Sequence, residues 1–132
     1  MSEENAILFA NEAFYDAFAA RDLPAMSAIW SARHPVQCVH PGWPPLHGRA
    51  VVMESWQGIL GNPQSPRIAC RAARAVIVGE IGIVTCFEVI ESATLVATNL
   101  FVREDRAWRL IHHQASPTGV SPPEEEAPRP LQ

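Results

Sequence analysis

The sequence has no lysine: its ten basic residues are all arginine, against fourteen acidic ones. A Schiff-base lysine and a phosphate-binding lysine are thereby excluded. With a formal net charge of −4 and no basic face, the chain is not expected to bind nucleic acid or an anionic membrane. Long apolar runs are missing too, because Arg or Glu interrupts each one before the roughly 18 residues that a membrane span requires. The start, Met1-Ser2-Glu3-Glu4-Asn5, is acidic where a secretory leader would be basic, so the expected compartment is the cytoplasm. There are only three cysteines, Cys38, Cys70 and Cys86, and no Cys-x-x-Cys pair. Reduced thiols acting as small apolar residues are expected. The sequence contains no glycine-rich phosphate loop, Gly-x-Ser-x-Gly elbow or His-Glu-x-x-His motif. His112 and His113 are not a metal pair, since neighbours on a strand face opposite ways. Convergence of His40, His47 and His112 with Glu88 would lack diagnostic spacing, so neither a metal nor a cofactor is expected.

What is present is a globular composition, 48% apolar over 132 residues, which fits one domain. Ser2 caps a helix over about residues 3–20, with Glu3 and Glu4 in its first turn and Ile7, Ala10, Phe14, Ala17 and Phe18 as its apolar stripe. Asp22 followed by Leu23-Pro24 opens a short second helix running to about Trp30. A short strand over 36–40 leads into the loop 41–48, where three prolines argue against both strand and helix. A third helix over about 49–60 carries Val52, Met53, Trp56, Ile59 and Leu60 inward and stops at Gly61. From Arg67 the period becomes two. Strands at about 67–78 and 83–91 flank a turn at 79–82, and strands at about 94–103 and 108–116 flank a turn at 104–107. Residues 1–118 form the domain, and 119–132 are expected to be a flexible Pro/Glu-rich tail.

Helices first and antiparallel strands afterwards predict an α+β fold. A twisting sheet of this kind curls into a cone around the N-terminal helices and leaves a hollow between them. If 104 and 107 close the second hairpin, Phe101 faces Leu110, Asn99 faces His112 and Ala97 faces Gln114. The inner face then carries Trp108, Leu110, His112 and Gln114, with Asn99 as a further polar group in an apolar wall. Glu88 alternates with Thr85 and Phe87 onto the same inner side, and His40 shares a face with Val36 and Cys38. An inward carboxylate needs a hydrogen-bond or charged partner. The alternative is an outward Glu88 paired with Arg71 or Arg74. His112 and Asn99 are read equally as structural hydrogen-bonding residues, and Trp43, Trp56 and Tyr15 as packing or as ligand walls.

Several segments together resemble the SnoaL-like, nuclear transport factor two-like and cystatin-like proteins. They are Ala13-Phe14-Tyr15-Asp16-Ala17-Phe18, Arg21-Asp22-Leu23, Val39-His40-Pro41-Gly42-Trp43-Pro44, Gly48-Arg49, Thr85-Cys86-Phe87-Glu88, Ala97-Thr98-Asn99-Leu100-Phe101 and residues 108–117. Ketosteroid isomerases and the association domains of calcium/calmodulin-dependent protein kinase are neighbouring families. The resemblance covers about residues 5–118. It implies a curved antiparallel sheet around helices, and a homodimer packed through the outer sheet face. In similar isomerases and polyketide cyclases a pocket carboxylate moves a proton beside a carbonyl. His40 stands at the strand position where the isomerases carry an Asp. Tyr15 lies near the place of their phenol, with Phe14 the other candidate. The resulting expectation is a small-molecule pocket for a hydrophobic carbonyl compound. His40 would be the base, with His112, Glu88 and Tyr15 assisting and Trp43, Trp56, Asn99, Phe101 and Gln114 as binding residues. The alternatives are a non-catalytic binding pocket and a dimeric association module.

Overall fold

The Ser2 hydroxyl accepts a hydrogen bond from the Asn5 amide (3.1 Å) and starts α1, Glu3–Ala20. The helix ends where Arg21 turns into the left-handed region (φ 53°), and the Asp22 carboxylate caps α2, Leu23–Ile29, through the Ala25 amide (3.0 Å). This computed structural model describes residues 1–124, so the tail expected over 119–132 falls, from 125 onward, outside the described residues. Two guanidinium groups tie the helices together. Arg21 donates to the carbonyls of Leu60, Asn62 and Ser65, at the end of α3 (Arg49–Gly61), and Arg49 donates to those of Ser27, Trp30 and Ser31. Carbonyls at helix ends carry partial negative charge, so both placements are favourable.

The strands are β1 (Gln37–Val39), β2 (Leu46–His47), β3 (Ala69–Val78), β4 (Ile81–Ile90), β5 (Ala93–Glu104) and β6 (Ala107–Thr118). They form one curved, open sheet in the order β2-β1-β6-β5-β4-β3, antiparallel except where β1 runs parallel to β6. Helix α1 packs on the concave side, and Ile7, Phe14, Trp30, Trp56, Phe101 and Leu110 fill the space between. The fold is the expected α+β cone.

Three details differ from the sequence-based expectation. The Pro-rich loop contains β2, whose Leu46 pairs with Cys38; two residues suffice because the partner strand is already in place. The first hairpin turns on Gly79-Glu80 alone, and Gly82 lies inside β4. A Cβ on Gly82 would sit 2.5 Å from Ile7 Cδ1, so glycine there serves helix–sheet packing. The third difference changes the site. The second hairpin keeps the expected register from Glu104↔Ala107 to Phe101↔Leu110, then bulges, so Leu100 pairs with His112 and Asn99 with His113. One extra residue reverses the facing of everything beyond it. His113 and Ala115 turn inward. His112 and Gln114, expected in the cavity, lie on the outer face, Gln114 exposed and His112 partly so.

Candidate functional site

The concave face and the helices enclose a cavity of about 420 Å³, within the range of small-molecule pockets. Phe14, Phe18, Trp56, Ile59, Ile68, Ile90 and Leu95 supply most of its wall, and its titratable groups are Tyr15, His40, Glu88 and His113. No arginine lines it. All four titratable side chains are buried, none more than 5% exposed.

Local sequence positions each of them. Tyr15 lies one and two turns beyond Asn11 and Ile7 on the buried stripe of α1. Glu88 follows Val84 and Cys86 on the inner side of β4. His40 directly follows β1 and opens a turn in which Gly42 takes φ 80° and the Trp43 amide donates to the His40 carbonyl (2.9 Å). Pro41 and Gly42 are the residues such a turn selects. It folds the half-exposed Trp43 back over His40, ring centroids 4.9 Å apart.

Proton positions follow from the hydrogen bonds, each donor being matched to an acceptor. Asn99 donates from Nδ2 to Asn11 Oδ1 (2.8 Å) and to the Tyr15 hydroxyl (3.2 Å). Its Oδ1 is thus left to accept from His113 Nδ1–H (2.5 Å). The Tyr15 hydroxyl donates in turn to Glu88 Oε2 (2.6 Å) and lies 3.2 Å from Cys86 Sγ. One directed chain therefore runs from His113 through Asn99 and Tyr15 to Glu88. His113 Nε2 keeps its lone pair and stands 3.9 Å from Glu88 Oε2, too far for a direct hydrogen bond. At His40 the Ser55 hydroxyl donates to the Val52 carbonyl (2.7 Å), so it accepts from His40 Nε2–H (2.9 Å). The His40 lone pair is accordingly on Nδ1.

Burial governs the charges. It lowers His113 to about 3, with the His40 and His112 charges adding to the effect, and lowers His40 to about 4. Both imidazoles are neutral at pH 7. Burial raises the Glu88 carboxyl above its ordinary value, opposed by the Tyr15 hydrogen bond. It also raises the Tyr15 phenol, with the Glu88 charge acting the same way, and the Cys38 thiol, pushed up to about 12. Such thiols and phenols remain protonated.

Of the residues singled out from sequence, Tyr15, His40, Trp43, Trp56 and Glu88 line one cavity. Glu88 points inward to Tyr15 and not outward to an arginine. Asn99 is fully buried one layer behind the wall, and Phe101 is core. His113, Asn11 and Ser55 were not anticipated. The signal for Asn11 was its place between Ile7 and Tyr15 on the apolar stripe of α1, and Ser55 adjoins Trp56 on α3; the bulge that turns His113 inward left no mark in the sequence. Among the described residues no group of three His, Cys, Asp or Glu side chains converges as a metal site, and no helix is long and apolar enough to cross a membrane.

The SnoaL-like domain model matches residues 7–119. No curated protein sequence matches the chain. Among solved structures, an NTF2-like family protein from Streptomyces avermitilis, proposed to be a dehydratase, is 30% identical (TM-score 0.81, covering 89% of this chain and 97% of that one). A Thiobacillus denitrificans protein, proposed to be a calcium/calmodulin-dependent protein kinase type II association domain, is 36% identical (TM-score 0.69, 83% and 92%). The CaMKII hub of S. rosetta shares the fold at 18% identity (TM-score 0.77, 89% and 98%).

Proposed function

The chain belongs to the SnoaL-like domain family, and on that footing we propose that it binds a small, neutral, hydrophobic carbonyl compound and moves a proton next to the carbonyl. The observation that carries this reading is a mainly apolar 420 Å³ cavity into which two neutral imidazoles and one carboxyl are set without any arginine. A ligand anion would find no cation there. A carbonyl would find an acid and a base.

His40 is the base, working from Nδ1 while Ser55 holds Nε2–H. Its lowered pKa makes it a weak base, comparable in kind to the carboxylate base of ketosteroid isomerase, and such bases work when donors stabilise the enolate. Glu88, whose carboxyl burial shifts toward the protonated form against the Tyr15 hydrogen bond, is that donor when it carries its proton. Its Oε2 is occupied by the Tyr15 hydroxyl, so the acid proton sits on Oε1. Tyr15 and Asn99 hold Glu88 and His113 in place and do not touch the ligand carbonyl. When the proton leaves carbon, imidazolium and enolate form together, so the cavity gains no net charge, an important economy in a dry site.

A thermal-shift screen with small ketones, acids and steroids tests the binding half. A ligand held at 100 times its Kd stabilises by about 2.7 kcal/mol, so neutral ketones should raise Tm by several degrees. A flat response to all of them would contradict the reading. Stabilisation without any proton exchange would make the protein a binder and not a catalyst.

A homodimer packed through the outer sheet face is supported by a separate observation. That face carries Phe87, Val96 and Leu100 only partly covered, with His112 and Gln114 beside them, and a 36%-identical relative is described as an association domain. Sedimentation should give a dimer that Val96→Glu converts to monomer; a monomeric parent chain would refute it.

A further inference from the structure

Beside the cavity runs a second, open groove of about 470 Å³, and the two share Trp43, Ile59 and Ser65 as common walls. Its floor is one face of α3: Val51, Ser55, Gly58 and Ile59 recur at three- and four-residue intervals. From Ile59 back to Val51 this face extends about 12 Å. Leu46 and Trp43, from the Pro-rich loop, form the other bank. Val51 and Trp43 are 45% and 46% exposed, so both present apolar surface to the groove. The single titratable side chain on the groove is Glu54.

We infer that this groove is the second half of the ligand site: the ligand places its carbonyl end in the cavity and lays a neutral, apolar arm along α3, past Ile59 toward Val51. The inference rests on the cavity being a ligand site. The three shared walls set the groove directly beside the cavity, and Trp43 stands between them, edge-on to His40 on one side and bordering the groove on the other. Trp43, Leu46, Val51 and Ile59 offer apolar surface to an apolar arm, with Ser55, Asn62 and Ser65 as neutral polar neighbours, and Glu54 disfavours an anionic one. Gly58 leaves the channel open, since a Cβ there meets nothing within 4 Å.

The test measures Kd for two probes by isothermal titration: 2-acetonaphthone, and the same ketone with an n-hexyloxy group at ring position 6. Half-covered methylenes should make the hexyloxy ketone at least about tenfold tighter for the parent protein. Gly58→Leu fills the groove and also favours the helix, so the fold is retained. In this variant the hexyloxy advantage should vanish while the 2-acetonaphthone Kd changes less than twofold; Gly58→Ala should keep the advantage. If the parent shows no advantage, or Gly58→Leu preserves it, the groove is not a subsite although the cavity reading stands. If 2-acetonaphthone itself does not bind, both fall.

Discussion

The two buried imidazoles make the stability of this protein depend on pH in a way that can be worked through. His113 titrates near 3 in the folded chain against an ordinary 6.5. The folded form thus binds fewer protons than the unfolded form between those values. Its stabilising contribution is complete above about pH 6.5 and is lost as pH falls. At pH 5 the unfolded imidazole is almost fully charged and the folded one is neutral. The linkage relation then puts the loss between pH 7 and pH 5 at about 2 kcal/mol. His40, near 4 in the folded chain, adds a loss of similar size. Glu88 acts oppositely: its raised folded value means that its contribution is present at low pH and fades as pH rises. Comparing the parent chain with His113→Gln cancels Glu88 to first order, since both proteins keep it, and the Gln amide can still donate to Asn99. Urea denaturation followed by tryptophan fluorescence at pH 7 and pH 5 gives the four stabilities. The parent should lose about 2 kcal/mol more than the variant. Equal losses would mean that His113 is not held neutral among these partners, and the assigned proton chain would be wrong.

Two more perturbations test the packing that positions the site. Tyr15→Phe removes the donor to Glu88 and the acceptor for Asn99; it should cost about 1–3 kcal/mol in denaturant titration and raise the Glu88 pKa further, as read by carboxyl NMR. Gly82→Ala drives a methyl into Ile7, whose Cδ1, Cγ1 and Cγ2 all lie within 3.3 Å of the added carbon, and should destabilise by about 1–3 kcal/mol; an unchanged Tm would show that α1 moves freely against β4.

Much of this arrangement was legible in the sequence because its causes are local. Ser2 and Asp22 announce helix starts, and Pro41-Gly42 announces the turn that carries Trp43 over His40. Alternation along 84–88 turns Glu88 inward. What escaped is set by contacts distant in sequence. The hairpin arithmetic holds as far as Phe101↔Leu110 and fails one residue later, because the bulge in β6 contains no glycine or proline to mark it. That one residue exchanges His112 for His113 at the site and moves Gln114 to the outer face. Leu46-His47 resembled loop because its strand character depends on β1. Ser55 matters through the tautomer of His40, which no periodicity encodes.

Proton transfer itself is most directly observed with a simple ketone in deuterated water. The methyl protons of 2-acetonaphthone, followed by NMR, should exchange for deuterium faster with the protein than without it, through loss of a proton to His40 Nδ1 and return of a deuteron from the same nitrogen. His40→Ala should bring the rate to the buffer value, and Glu88→Gln should lower it by about a hundredfold or more, the usual reach of a positioned acid. Exchange that is undiminished in His40→Ala, with the ketone bound in the cavity, would contradict the assignment of the base.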